Sequence, residues 1–373
     1  MKKISLFTGT RAEYGLMRNL ILNLIEDSQI DFSLLVSAAH LNEKFGLTFK
    51  EIESDGIKTK YKLPISFDNP YELDMAYQTS ETIRVISKTL LEINPEYLIV
   101  LGDRYETFAA ATAAHLLGIK IIHLHGGETT IGAIDDKLRN AITQLSSIHF
   151  TSAEVHRQKV QNMIQSKKNI YNVGPLSIDG LLNLKTISKN EFEKKTGFNF
   201  SKNNLLITYH PETIKDDLGI SGLENLLNVL SNFTFNILFT SPNADKGSDI
   251  ILDIIFKAVE ERKNNYFYVP SLGHHLYLNA LLLFDSIVGN SSSGINEAPL
   301  LKKNVLNIGN RQKGRHRFGK VIDVQNDYES IFNAIYNIDK TPYKDKFDIV
   351  QFKKNYITKS PSYKIINLIK EIL

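Results

Sequence analysis

The sequence has 373 residues, enough for two cores of ordinary size rather than one. Its 44 Lys and Arg against 41 Asp and Glu leave a formal charge of +3 with both signs interspersed, which excludes the broad basic footprint of a nucleic-acid binder. There is no cysteine, so disulfide frameworks, thiolate catalysis and cysteine-based zinc sites are excluded together, and a reducing cytoplasm is the expected location.

The opening MKKISLF has an apolar run too short for the core of a signal peptide and reads instead as a first strand, Ile4 to Phe7. A helix follows from about Ala12 to Ile25. Strand and helix then alternate: a strand near Asp31 to Ser37, helices near Phe45 to Ser54 and Asp74 to Glu92, and a strand at Tyr97 to Leu101. Next come a helix at Tyr105 to Leu117, a strand at Lys120 to Leu124 and a helix starting near Asp135. Such alternation needs crossover connections, hence a mainly parallel sheet with helices on both faces.

The segment YNVGPLSIDG, Tyr171 to Gly180, has Gly and Pro where an ordered sheet would not, and it sets the domain boundary at 173/174. The pattern then begins again. Strands are expected at Leu205 to Tyr209, Phe235 to Phe239, Tyr266 to Tyr268, Ser286 to Val288 and Val305 to Asn307. Helices lie between them, near Leu223 to Leu230, Ile250 to Glu260, Leu276 to Leu283 and Ile295 to Leu300. The second domain runs over 174–358, and a C-terminal helix within 359–373 (amphipathic from Tyr363 to Leu373) is expected to pack back on the first. No segment approaches the roughly 18 consecutive apolar residues of a membrane helix. The fold class is therefore α/β, with two Rossmann-like, doubly wound domains. Sheets of this kind hold ligands outside their C-terminal strand ends, so two of them facing each other make a central cleft lined by residues that follow strands.

After the first strand comes Gly9-Thr10-Arg11, with Glu13, a glycine turn into a helix whose N-terminus favours an anion. It is not GxGxxG, so the dinucleotide fingerprint is missing and a nicotinamide-dependent dehydrogenase is disfavoured. After the strand YLIVL comes Gly102-Asp103-Arg104-Tyr105-Glu106. Asp103 and Glu106 have the spacing of a capping box, and a carboxylate and an arginine at a strand end equally suit a cationic transition state and a phosphate. The strand KIIHL leads into His125-Gly126-Gly127-Glu128, and Asp135-Asp136 with Arg139 opens the next helix, where Asp135 is either a cap or a functional acid. By the period of two, His123 and His125 share one strand face, and Glu128 would complete a metal site. The group lacks a third ligand on a rigid element, so no metal is expected. The paired glycines point instead to a backbone that bends close to a ligand.

In the second half, Tyr209-His210-Pro211-Glu212 and Ser241-Pro242-Asn243-Ala244-Asp245 each follow a strand. Gly289-Asn290-Ser291-Ser292-Ser293-Gly294 closes a strand and opens a helix, with Glu297 one turn in. Consecutive hydroxyls and N–H groups there suit a phosphate, and the carboxylate suits a ribose diol, although serine-rich loops are often only loops. Arg311, Lys313, Arg315, Arg317 and Lys320 form the densest basic run, which either meets phosphate or is a solvated loop.

Taken together, GTRAEYG, GDRYE, HLHGGET with IDDKLRNAIT, TYHPET, SPNADKGSDI, GNSSSGINEAP and NIGNRQKGR run in register from residue 4 to about residue 325. They resemble the hydrolysing UDP-N-acetylglucosamine 2-epimerases, above all the bacterial enzymes that make N-acetylmannosamine for sialic acid capsules. The resemblance implies a GT-B fold, UDP-N-acetylglucosamine as substrate, UDP and N-acetylmannosamine as products, a homodimer, and no cofactor, nucleic-acid or membrane partner. It implies that His210, Asn243, Ser291, Ser292, Glu297 and Arg311 hold UDP from the second domain, while Arg11 and Arg104 reach the phosphates from the first. Asp103 and Asp135 match acidic positions assigned to catalysis. Some members carry a glutamate where this chain has His125, so that carboxylate's role falls here to His125 or to Glu128. The implied chemistry is elimination of UDP to a glycal, then addition of water at C1 with reprotonation of C2 from the other face. Relatives acting on a nucleotide-linked 2,4-diacetamido-trideoxyhexose share these motifs. A GT-B glycosyltransferase shares the fold and the UDP pocket, and a two-lobed sugar-binding protein is the reading without turnover.

Overall fold

The computed structural model describes residues 1–43, 46–65, 71–130, 134–212, 217–242, 247–340, 347–356 and 360–372. A first parallel sheet takes β1 (Lys2–Thr8), β2 (Ile30–Ser37), β3 (Tyr61–Leu63), β4 (Tyr97–Leu101), β5 (Lys120–Leu124), β6 (Ile148–Thr151) and β7 (Ile170–Asn172) in the order β3-β2-β1-β4-β5-β6-β7. A second takes β8 (Asn204–Thr208), β9 (Asn236–Thr240), β10 (Tyr266–Val269), β11 (Ser286–Gly289), β12 (Asn304–Ile308) and β13 (Ile322–Val324) in the order β10-β9-β8-β11-β12-β13, again parallel throughout. Each order reverses once, between β1 and β4 and between β8 and β11. The central strands YLIVL, NLLIT and NILFT are buried at every residue, as strands covered by helices on both faces must be.

The chain divides into two compact units, one of residues 1–129, 133–182 and 352–373, the other of 130–132 and 183–351. The first contains α1 (Arg11–Glu26), α2 (Phe49–Ser54), α3 (Tyr71–Ile93), α4 (Tyr105–Leu116), α5 (Ile134–Leu145), α6 (Glu154–Ile164) and α7 (Ser177–Leu182). The second contains α8 (Lys189–Thr196), α9 (Ile220–Leu230), α10 (Ser248–Glu261), α11 (Gly273–Leu283), α12 (Glu297–Leu300) and α13 (Tyr328–Lys340). The division at 351/352 falls within α14 (Ile349–Tyr356), and α15 (Pro361–Ile372) belongs to the first unit.

On one face of the first sheet, α1 buries Tyr14, Met17, Leu20, Ile21 and Leu24, a helical stripe that packs on β1 and β2. α15 adds Ile365, Ile366 and Ile369 to that same core. It is tied there by the buried Asp179 of α7, which accepts from the Ser360 hydroxyl (2.6 Å), the Ser362 N–H (2.9 Å) and the Ser362 hydroxyl. Because α7 also packs on α1, the first unit runs on to Leu182, past the 173/174 position set by the Gly and Pro residues. On the opposite face, alanines 109, 110, 111, 113 and 114 let α4 lie close to the sheet.

Several elements were not foreseen from the sequence: β3, β6, β7, β13, α6, α7, α8, α13 and α14. The strands among them have only three or four residues, and β6 carries a histidine, so no apolar run marks them. The expected helix start at Phe45 lies outside the described residues, and α2 begins at Phe49. Among the described residues no helix is long and apolar enough to cross a membrane.

Candidate active site

The loops after β1 and β4 flank the reversal of the first sheet, where open parallel sheets hold their ligands. Thr10 caps α1, its hydroxyl accepting from the Glu13 N–H (3.3 Å). The Glu13 carboxylate accepts in return from the N–H groups of Thr10 (3.1 Å) and Gly9 (2.8 Å). The anion cradle expected at this turn is thus filled from within by Glu13, and Arg11 stands exposed beside it. The other Glu13 oxygen takes the Thr107 hydroxyl (3.2 Å). Burial raises the Glu13 pKa to about 7; the Arg104 guanidinium opposes the rise and the neighbouring Glu106 adds to it.

The capping-box reading of Asp103 and Glu106 does not hold. Arg104 occupies the N-cap of α4 with no side-chain capping bond, and each acid engages a guanidinium instead. Glu106, 2% exposed, holds Arg104 by two parallel bonds of 3.1 Å. Asp103 pairs with Nη2 of Arg139 on α5. Arg139 is buried, and its Nη1 also donates to the Glu128 carbonyl (2.9 Å) and to Asp136 Oδ1 (3.2 Å). One guanidinium therefore gathers Asp103, Asp136 and the Glu128 backbone. Asp135 is half-buried in the first turn of α5.

His123 and His125 do not share a face. β5 ends at Leu124, and φ of +62° at His125 turns the chain out of the strand. His123 places Nε2 on the Gly102 carbonyl (2.8 Å) and Nδ1 on the Thr143 hydroxyl (3.2 Å), and burial lowers its pKa to about 3. His125 instead accepts the Leu176 N–H at Nε2 (3.3 Å), which leaves its ring proton on Nδ1, 3.0 Å from Glu128 Oε1. The two rings face different partners, and among the described residues no group of three His, Asp or Glu could hold a metal.

Glu128 Oε1 also accepts the Ser152 hydroxyl (2.6 Å), which in turn meets His156 Nδ1 (2.9 Å). A carboxylate only accepts, so Ser152 gives its proton to Glu128 and receives one from His156. Burial pushes the Glu128 pKa up, but His125, Ser152 and His156 outweigh it and hold the carboxyl down at about 2. These bonds all fall on Oε1 and leave Oε2 outside them. Gly127, with φ of +80°, lets the loop lie on α6: a Cβ there would stand 2.5 Å from the His156 carbonyl oxygen.

In the second unit the loops after β8 and β11 flank the reversal. Gly289 has φ of +130° and a Cβ position 2.1 Å from the Thr208 carbonyl oxygen, so only glycine lets these strand ends approach so closely. One residue on, the side-chain amide of Asn290 accepts from the His210 N–H (2.7 Å) and donates to the His210 carbonyl (2.8 Å). The Asn290 carbonyl accepts from Arg311 Nη1 (3.2 Å) and Gln312 Nε2 (2.7 Å). A single buried asparagine thus joins the loops after β8, β11 and β12. Burial, reinforced by Arg311, lowers the His210 pKa well below its ordinary value and leaves the imidazole neutral.

The helix expected at Ile295 to Leu300 is shorter than the sequence suggests. A 3₁₀ turn spans Ser292–Gly294, and α12 is one turn that starts at Glu297 and contains Pro299. An anion at Ser291 and Ser292 would meet hydroxyls and loop N–H groups rather than the dipole of a long helix. Asn243 and Asp245 lie outside the described residues. Of the basic run, Arg317 is spent on structure, pairing with Asp323 (2.9 Å) and donating to the Gln312 carbonyl (2.8 Å).

Sequence reasoning passed over Arg139, Asn290, Ser152 and His156 as site residues. Arg139 could have been found from its spacing, three residues after Asp136 on one helix face. Asn290 lay inside a quoted motif, whereas nothing local marks Ser152 or His156.

The model of the UDP-N-acetylglucosamine 2-epimerase family matches residues 23–370, nearly all of both units. The chain belongs to this epimerase family. It is 33% identical to the GDP/UDP-N,N'-diacetylbacillosamine 2-epimerase (hydrolyzing) of Campylobacter jejuni, over 90% of this chain and 87% of that protein. It is likewise 33% identical to polysialic acid biosynthesis protein P7 of Escherichia coli, over 100% of this chain and 95% of that one. The crystal structure of Methanocaldococcus jannaschii UDP-GlcNAc 2-epimerase in complex with UDP-GlcNAc and UDP superimposes with a TM-score of 0.78 at 19% identity, covering 99% of each chain. The fold is accordingly GT-B. In this member of the epimerase family the first unit gathers carboxylates on arginines, while the second presents hydroxyls, a neutral histidine and Arg311.

Proposed function

We propose that the protein is a hydrolysing 2-epimerase that converts UDP-N-acetylglucosamine and water to UDP and N-acetylmannosamine, the first step of sialic acid synthesis. The observation that carries this reading is the meeting of Asp103 and the Glu128 loop on Arg139, which sets acid–base groups together. The C2 proton of an N-acetylhexosamine is not appreciably acidic. As UDP leaves C1, oxocarbenium character makes that proton removable, a glycal forms, and water adds at C1 while C2 is reprotonated from the other face.

In this reading Asp103, Glu128 and Asp135 pass protons and stabilise the cation. The role open between His125 and Glu128 goes to Glu128, because both ring nitrogens of His125 are engaged, whereas among the described residues the bonds to Glu128 fall on Oε1 alone. His125 then orients the carboxylate. His210, Asn243, Ser291, Ser292, Glu297 and Arg311 hold UDP, and Arg11, Arg104 and Arg311 stabilise the departing phosphate charge. The enzyme works as a cytoplasmic homodimer and needs neither metal nor nicotinamide, so turnover should survive EDTA.

A second reading, a nucleotide-linked 2,4-diacetamido-trideoxyhexose as substrate, is favoured by the Campylobacter relative, as similar to this chain as the Escherichia one. Incubation with UDP-N-acetylglucosamine, and with the UDP- or GDP-linked diacetamido sugar, in D2O, followed by NMR of the free sugar, tests both. N-acetylmannosamine deuterated at C2 is the expected product. Turnover of the diacetamido sugar alone would favour the second reading, and no free sugar from either would refute both.

A further inference from the structure

The loop Ser291–Gly294 sits above a row of hydroxyls that reaches it from three other elements of the second unit. Tyr277, half-buried on α11, hydrogen-bonds through its hydroxyl to Ser293 Oγ, and Ser293 Oγ lies 3.1 Å from Ser291 Oγ. Behind Tyr277, the Thr208 hydroxyl at the end of β8 adjoins the phenol and bonds the Thr240 hydroxyl at the end of β9 (2.6 Å). The row gathers at the C-terminal ends of the strands, beside the reversal between β8 and β11.

Each hydroxyl has one proton, so donation along such a row runs in one direction or the other. A phosphate oxygen only accepts. When one meets Ser291, that hydroxyl must donate outward, Ser293 must donate to Ser291, and Tyr277 must donate to Ser293. The phenol is the most acidic of the three and the strongest donor, and each bond polarises the next. We propose that Tyr277 and Ser293 are positioning residues that hold the Ser291 hydroxyl as a donor to the phosphates of a nucleoside diphosphate. This rests on the reading of Ser291 as a UDP contact. The alignment favours acceptor-only groups at the loop and contributes nothing to recognition of the nucleoside.

The test is calorimetric titration of UDP, and separately of uridine, into the wild-type protein and its variants. Tyr277→Phe should weaken UDP binding about fivefold, the scale of one neutral hydrogen bond, and leave uridine binding unchanged. Ser293→Ala, which removes the middle hydroxyl without touching α11 and leaves only the direct approach of the phenol to Ser291, should also weaken UDP and spare uridine. Combining either with Ser291→Ala should cost no more than Ser291→Ala alone. If Ser291→Ala weakens UDP while Tyr277→Phe and Ser293→Ala do not, the positioning role is wrong and the UDP contact stands. Equal weakening of UDP and uridine by Tyr277→Phe would make its role merely structural and overturn the inference. Unchanged UDP affinity in Ser291→Ala would remove the contact itself, and the inference with it.

Discussion

Asn290 binds His210 through the same pair of groups that a residue on a neighbouring strand would offer: its side-chain carbonyl takes the His210 N–H and its side-chain amide reaches the His210 carbonyl. The β8–β11 ladder ends at the pair Thr208 and Gly289, and the asparagine extends it by side chain where the backbones part. Asn290→Ala strands two buried backbone groups, and Asn290→Asp sets an anionic oxygen against a carbonyl. Either should cost about 1–3 kcal/mol in urea unfolding. UDP affinity should fall with it, and a variant with wild-type stability and affinity would show that the loop holds its shape without the clamp.

Asp103 and Arg139 form a pair whose removal separates structure from chemistry. Asp103→Asn should lower kcat about a hundredfold or more, the usual scale for a positioned acid or base. It should also lower Tm, because the buried guanidinium loses a charged partner. Asp135→Asn should lower kcat with little change in Tm. Wild-type turnover in Asp103→Asn would falsify the catalytic assignment there.

Glu128 has a pKa lowered from 4.5 to about 2, so its ionised form stabilises the fold above pH 4.5, and that contribution is lost as pH falls toward 2. Glu128→Gln should therefore be less stable than wild type at pH 7, with the gap narrowing at pH 3. Urea melts at the two pH values measure it. A constant gap would mean that packing, not charge, is what the substitution removes.

The sign reverses for Glu13, raised to about 7. Between pH 4.5 and 7 the native state keeps a proton that the unfolded chain releases, so this residue makes stability fall as pH rises through that window. Glu13→Gln can still accept from Gly9 and Thr10 and donate to Thr107. It should match wild type near pH 4 and exceed its Tm at pH 8. A variant less stable at pH 8 would show that the carboxylate form is the better partner for the loop.

The sequence was most legible where burial is complete. YLIVL is an unbroken apolar run and NLLIT has one at its centre because helices cover both faces, and the functional loops were found because parallel sheets place them after such strands. Edge and short strands such as β3 and β13 have no such signature. Pairing was the illegible part. Asp103 and Glu106 have the spacing of a cap, yet each chose a guanidinium, Arg139 36 residues away and Arg104 two away. Asn290 reaches back 80 residues to His210. Such choices depend on which side chains the folded sheets bring together, and local pattern carries no trace of them.

The tether from Asp179 to Ser360 and Ser362 also has a consequence for the order of synthesis. The three isoleucines of α15 that complete the first core leave the ribosome only after every residue of the second unit. The second sheet can therefore close during translation, while the first waits, with one side of α1 uncovered, for a segment made after the whole of the second unit. A stop codon just before residue 360 would leave the second core whole and expose an apolar seam on the first, so the truncated product should aggregate through its earliest-made half.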